Sequence, residues 1–280
     1  MENYTLSNGV TIPKIGFGTY KSIIGDDKAV IERALLNGYR HLDTAAFYKN
    51  EDAVGESIKN SGIMREDLFL TTKLWKGDLG YENTLIEFEK SLNRLQTEYL
   101  DLYLIHWPKQ DSRSVDWREL DKDTWRAMEE LYEKGKIRAI GVSNFLPHHL
   151  MNICQNAKIM PMVDQLEFHP GYIQWATVQY CKEHNILVSA WSPLGRARVM
   201  NESVLLRMAE RYQKSIAQLC LRFELQCDVL PLPKSSTDSR MQENLDVFDF
   251  EISEQDMSII MTLPQIGWSG EHPDRERETI

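Results

Sequence analysis

Short apolar runs alternate with longer amphipathic stretches along most of the chain. Runs such as Leu100–Ile105 and Leu187–Ala190 are almost continuously apolar, the pattern of parallel strands covered on both faces. The expected strands are Ile15–Thr19, His41–Asp43, Leu68–Leu74, Leu100–His106, Ala139–Val142, Val163–Glu167, Leu187–Trp191 and Val229–Leu232. Helical spacing predicts helices over Asp26–Asn37, Glu51–Asn60, Glu82–Leu95, Thr124–Lys134, Pro147–Ala157 and Trp175–His184. Two helices in a row follow at Ser203–Tyr212 and Ser215–Leu225, and two more after the last strand, near Ser239–Val247 and Glu254–Leu263. Ahead of all this, Tyr4-Thr5-Leu6 and Val10-Thr11-Ile12 flank Ser7-Asn8-Gly9, which predicts a short hairpin around an Asn-Gly turn.

Eight strand-helix units in 280 residues, with no Pro/Gly/Ser-rich linker, fit one α/β domain over residues 1–280, a (β/α)8 TIM barrel. The hairpin and two extra helices are additions to it. From about residue 264 the tail turns polar and charged, so it is expected either to fray or to lie over the barrel mouth. A doubly wound dinucleotide fold would carry G-x-G-x-x-G at its first turn. Here Gly16-Phe17-Gly18-Thr19-Tyr20-Lys21 lacks the third glycine.

Composition narrows the partners. With 32 Lys+Arg against 42 Asp+Glu, the formal net charge is −10, which argues against nucleic acid and anionic membranes. Any bound anion then needs a local basic cluster. The acidic N-terminus does not resemble a secretory signal, and no apolar run reaches the roughly 18 residues of a membrane span. The four cysteines show no C-x-x-C spacing, so reduced thiols and a cytoplasmic location are expected. No metal is expected either: there is no H-E-x-x-H, and His148 and His149 are adjacent rather than at ligand spacing.

In a barrel, side chains at the C-terminal strand ends converge on one mouth. Asp43 and the following Tyr48, then Lys73, then His106 would bring an acid, a phenol, an amine and an imidazole together. Carbonyl reduction takes a hydride and a proton, and the donor works best with a pKa nearer 7 than tyrosine's roughly 10. Lys73 is expected to acidify Tyr48, Asp43 to hold Lys73, and His106 to orient the substrate oxygen and assist the proton relay. Tyr20, Phe47, Trp75 and Trp107 also follow strand ends and, with Tyr48 and His106, would wall a pocket for small carbonyl compounds. The charged stretch Lys109–Asp123 is either a lid or a solvated loop. After the last strand, Lys234, Ser235, Ser236 and Arg240 cluster near a helix start, where barrels commonly seat phosphate. Two other classes remain open: a Schiff-base aldolase using Lys73, and a cofactor-binding barrel acting as a redox sensor or accessory protein.

Gly38-Tyr39-Arg40-His41-Leu42-Asp43-Thr44-Ala45, followed by Tyr48, Glu51 and Gly55, resembles the signature of the aldo-keto reductase family. Leu232-Pro233-Lys234-Ser235, then Arg240 and Glu243-Asn244, is similar to that family's cofactor-phosphate signature. Leu104–Pro108, Gly141–Asn144 and Trp191–Gly195 extend the resemblance over most of the chain. The short loops most resemble the bacterial branch that includes diketogluconate reductases and glyoxal or methylglyoxal reductases. The resemblance implies a catalytic tetrad of Asp43, Tyr48, Lys73 and His106, and NADPH/NADP+ as cofactor. It also implies that Ser143, Asn144 and Gln165 bind the nicotinamide carboxamide and that Trp191, where members often carry Tyr, stacks on its ring. Gly18, Thr19, Asp43, Ser192, Leu194 and Gly195 would border the rest of the nicotinamide half. Lys234, Ser235, Ser236, Arg240, Glu243 and Asn244 would hold the phosphate side. The implied activity is NADPH-dependent reduction of aldehydes and ketones, with small dicarbonyls such as glyoxal and methylglyoxal or keto-sugars as substrates. A monomer or weak dimer, with a small molecule as its partner, completes the expectation.

Overall fold

The computed structural model describes residues 2–23, 29–111 and 115–275. Eight parallel strands form one curled sheet in which spatial order follows chain order: β3 (Phe17–Gly18), β4 (His41–Asp43), β5 (Phe69–Leu74), β6 (Leu100–Ile105), β7 (Ile137–Ser143), β8 (Val163–Glu167), β9 (Leu187–Trp191) and β10 (Val229–Pro231). The two edges meet. Gly16 N donates to Pro231 O at 3.1 Å and Gly18 N to Pro233 O at 3.0 Å, which joins β3 to β10 and closes the (β/α)8 barrel. A Cβ on Gly18 would stand only 3.0 Å from Leu232 O, and one on Gly141 only 2.4 Å from Val163 O. Glycine at both places is what lets neighbouring backbone pass so closely.

The hairpin ahead of the barrel pairs β1 (Asn3–Thr5) with β2 (Thr11–Pro13), Asn3 opposite Pro13. Gly9 takes φ +88° at the turn, and Asn8 Oδ1 accepts from Val10 N at 3.1 Å. Asn8 Nδ2 also donates to Arg138 O at 2.9 Å, beside the start of β7, so the hairpin covers the barrel's N-terminal end and buries Leu6 and Ile12 there.

Helices α1 (Val30–Leu36), α2 (Glu51–Ser61), α3 (Tyr81–Leu95), α4 (Trp117–Glu133), α5 (Pro147–Cys154) and α6 (Trp175–Glu183) each follow a strand. Two helices, α7 (Ser203–Tyr212) and α8 (Ile216–Gln226), separate β9 from β10, and α9 (Asp238–Leu245) and α10 (Glu254–Met261) come last. Helix α3 shows why these segments dock: Thr84, Phe88, Ser91, Leu92 and Leu95 are buried and recur on one face. The start of α8 is fixed by Ser215, whose Oγ accepts from Gln218 N at 3.2 Å while Gln218 Oε1 accepts from Ser215 N at 3.0 Å. Cys181 and Cys220 lie buried in α6 and α8 with their thiols pushed up by burial, and all four cysteines are unbridged.

One expected loop is shorter in the structure. Residues Trp117–Asp123, read from sequence as part of a charged connection, are the first two turns of α4. Trp117 and Asp121 are buried there, and the apolar contact of Trp117 outweighs the charge of its neighbours. The start of the first expected helix and the tail beyond residue 275 lie outside the described residues. Among the described residues, no helix is long and apolar enough to cross a membrane.

Candidate active site

Alternation along the strands decides which side chains enter the barrel. Asp43 ends β4, and Lys73 sits one residue before the end of β5, fully buried. Lys73 Nζ donates to Asp43 Oδ1 at 2.6 Å and to Thr44 O at 2.9 Å. Asp43 Oδ2 accepts from Gln165 Nε2 of β8 at 2.8 Å, so three strands are stitched through one carboxylate. Burial pulls the Lys73 amine below its ordinary pKa, while the charge and hydrogen bond of Asp43 and the charge of Glu51 oppose that pull.

Tyr48 follows β4 on a 3₁₀ turn, Ala46–Tyr48. Lys73 Nζ lies 5.2 Å from its ring centre, and the His106 ring 5.7 Å away edge-on. The four expected catalytic groups therefore share one place. The expected acidification of Tyr48 does not hold: its pKa is raised well above 10 by burial, then by the charge of Asp43 and the neighbouring Tyr20. Lys73's charge is already engaged by Asp43, so burial prevails and the phenol keeps its proton. His106, at 7% exposure, is pushed well below the usual histidine range by burial and by the charges of Lys73 and Lys76, which makes it neutral.

Beside this cluster, Ser143, Asn144 and Gln165 interlock. Ser143 Oγ donates to Gln165 O at 2.9 Å, and Asn144 Nδ2 donates to His106 O at 3.0 Å. Asn144 takes φ +63°, a left-handed conformation that asparagine tolerates, and its Oδ1 accepts from Trp191 Nε1 at 2.8 Å. The indole of Trp191 is thus held half-buried at the end of β9, with Ser192, Leu194 and Gly195 turning directly after it. Across the barrel seam, Gly18 is followed by Thr19, whose Oγ1 is buried with no partner among the described residues.

Lys234 and Arg240 are exposed, make no ion pair among the described residues, and flank the N-terminus of α9. Ser235 and Ser236 lie between them; Ser235 Oγ donates to Thr237 O at 3.2 Å, and Ser236 O accepts from Arg33 Nη2 at 3.2 Å. Arg33 was missed by sequence reading because α1 carries it there from far away in the chain. Glu243 is half-buried, while Asn244 is buried on the packed side of α9, where the Tyr39 hydroxyl donates to Met241 O at 3.4 Å. At the other rim, Phe47 stacks on Trp75 with ring centres 3.9 Å apart, Tyr20 packs on Tyr48 at 4.8 Å, and Trp107 is half-buried. Lys76, also missed, could have been flagged as the cation immediately after Trp75.

The aldo/keto reductase family model matches residues 14–263. The chain is 50% identical over 270 residues to the glyoxal reductase of Bacillus subtilis, an alignment covering 96% of this chain and 95% of that one. An aldo/keto reductase structure from Brucella melitensis superimposes with a TM-score of 0.86 at 41% identity, covering 92% of this chain and 98% of that one. An aldo-keto reductase solved in complex with NADPH superimposes with a TM-score of 0.87 at 32% identity, covering 95% of this chain and 88% of that one.

Proposed function

As the chain belongs to the aldo/keto reductase family of oxidoreductases, we propose that it reduces small aldehydes and ketones to alcohols with NADPH, with Tyr48 giving the proton. The observation that carries this reading is the buried Asp43–Lys73 pair lying against the Tyr48 ring beside a neutral His106. The dicarbonyl glyoxal is a natural first substrate, given the name of the Bacillus relative.

The cofactor fits residues that otherwise lack employment. Lys234 and Arg240 make no ion pair among the described residues and lie beside a helix N-terminus on a chain of charge −10, a suitable seat for a phosphate. Buried Thr19 Oγ1 has no partner among the described residues. Trp191 offers a ring face, and Ser143, Asn144 and Gln165 offer amide and hydroxyl groups for a carboxamide. When bound, NADPH supplies the hydride.

Tyr48 is a phenol at neutral pH and, beside Lys73 and His106, is placed to supply the proton. As the substrate oxygen becomes an alkoxide it becomes more basic than the phenol, and the proton moves to it. Lys73, 5.2 Å from the ring centre, then stabilises the phenolate left behind. A neutral His106 can donate a hydrogen bond to the substrate oxygen without competing for that proton. Phe47, Trp75 and Tyr20 give the substrate apolar walls. Lys73 is a poor Schiff-base nucleophile in this setting, since its ammonium hydrogens are directed to Asp43 and Thr44.

The test is NADPH consumption with glyoxal, methylglyoxal and an aromatic aldehyde, run beside Tyr48→Phe. The parent should turn over, and the variant should lose about 10²–10⁴-fold in kcat, the usual contribution of a general acid. Tight NADPH binding without turnover across the panel would instead place the protein among sensors or accessory subunits. Arg240→Ala should raise KM for NADPH roughly ten- to hundredfold while leaving NADH unaffected, the loss of one charge-assisted contact. Equal effects on both cofactors would remove Arg240 from the phosphate seat.

A further inference from the structure

The two segments whose place sequence reading left open, the stretch after His106 and the C-terminal tail, are tied to each other. Asp274 Oδ1 accepts from Lys109 Nζ and lies 3.1 Å from His149 Nε2, while Asp274 Oδ2 lies 3.2 Å from His148 Nε2. His149 is fully buried at the start of α5, which follows β7. The Trp117 ring closes the group from α4: it stands 5.0 Å from the His149 ring, and Lys109 Nζ sits 4.9 Å from its centre. Lys109 itself comes three residues after His106 and two after Trp107.

The tail has a second anchor. Ser269 N and Oγ donate to Glu167 Oε1 and Oε2 at 2.9 and 2.7 Å, with both residues buried. Ile266 N donates to Gly171 O at 3.2 Å, and Trp268 O accepts from Arg198. Glu167 ends β8, Arg198 follows β9, and Lys109 follows β6. The tail therefore crosses the C-terminal ends of the strands, on the side where Asp43, Tyr48 and Lys73 meet.

Two histidines and an aspartate with ligand atoms within 4.8 Å of one another also have the makings of a metal site. The hydrogen bonding favours a different role. His149 Nδ1 accepts from Leu146 N at 3.1 Å, so the proton of the neutral ring sits on Nε2 and points at Asp274. A nitrogen that carries a proton cannot ligate a metal, and the Lys109 ammonium already occupies Asp274 Oδ1. Burial together with the neighbouring His148 pulls His149 down to about 3, which keeps it a neutral donor.

We infer that Asp274 is a positioning residue: it clasps Lys109 and His149 and thereby fixes the turn that carries His106 and Trp107. The inference rests on the reductase reading for its kinetic readout. Asp274→Ala should raise KM for an aromatic aldehyde about tenfold, equivalent to about 1.4 kcal/mol of lost ordering. Its kcat and NADPH dissociation constant should stay within about twofold of the parent. Lys109→Met should do the same, and the double variant should be no worse than either single one, because both changes break one clasp. Unchanged KM in both variants, a fall in kcat alone, or strictly additive effects would overturn the inference.

A readout independent of turnover is tail cleavage by a protease at low dose. It should speed up in Asp274→Ala and Lys109→Met alike, and equal cleavage of parent and variants would also count against the clasp. If Asp274→Ala does not fold, Lys109→Met carries the kinetic and cleavage tests by itself. Zinc titration separates the metal alternative: tight binding by the parent that is lost in Asp274→Ala would replace the clasp with a metal site. A parent that cleaves as expected relative to its variants but reduces no carbonyl would sink the reductase reading and leave the clasp standing.

Discussion

Two buried acids at the mouth of the barrel and three in its shell are held in opposite ways. At the mouth, Asp43 accepts from Lys73 and Gln165, and Glu167 accepts twice from Ser269. In the shell, Asp121 of α4 and Glu224 of α8 have no hydrogen bond to either carboxyl oxygen among the described residues. Asp164, which faces Cys181 of α6, has one oxygen bare. Burial pushes all three shell carboxyls well above the usual range. An isolated carboxylate away from water is so costly that the group takes up a proton instead. Asp43 differs in having a cation built in beside it, and that cation is also the group lying against the Tyr48 ring. Other buried acids are ion-paired as well: Glu51 of α2 with Arg94, and Asp101 of β6 with Arg65 and Arg138.

The largest expected effect comes from making the mouth resemble the shell. Asp43→Asn leaves the Lys73 ammonium buried without its counter-charge, which should destabilise the fold by about 3–5 kcal/mol and cut carbonyl reduction with it. Chemical denaturation and the aldehyde assay would measure the two losses separately, and a variant as stable as the parent would show that the pair is not the strut it looks like. A somewhat smaller effect tests the same pair from the other side. Adding Lys73→Met to Asp43→Asn removes the stranded charge, so stability should recover by about 1–4 kcal/mol while activity stays lost. Recovery of activity along with stability would mean that Lys73 serves the fold alone.

How far sequence could see follows the same division. The eight strands and the convergence of Asp43, Tyr48, Lys73 and His106 were legible, because apolar runs set the strands and strand ends set the mouth. The Tyr48 ionisation was not, since the sign depends on whether Lys73's charge is free or spent, and Asp43 at 2.6 Å spends it. Gln165 was expected as a cofactor ligand; its bond to Asp43 depends on β8 lying across the barrel from β4. The first turns of α4 were misread as loop because charged residues surround Trp117, and only the cleft it shares with His149 and Lys109 explains its burial. Contacts between residues far apart in the chain, such as Lys109 with Asp274 or Arg33 with Ser236, leave no local pattern to read.

The effect that is smallest per unit of change belongs to the shell, read as a slope with pH, and tests whether its acids are truly neutral. Glu224 has a carboxyl that burial holds well above 4.5, its value in an unfolded chain. Between those two values the unfolded state has lost its proton and the native state has kept it. The unfolded state then binds fewer protons, and stability falls as pH rises, by about 1.4 kcal/mol per unit from this one group. Below the unfolded value both states are protonated and the penalty vanishes. Glu224→Gln places an uncharged group of the same shape there and removes the titration. The stability difference between variant and parent, followed by denaturation from pH 5 to pH 8, should therefore shift in the variant's favour as pH rises. A difference that stays constant over that range would mean that Glu224 ionises inside the fold, beside a partner or a water, and that the shell and the mouth obey one rule rather than two.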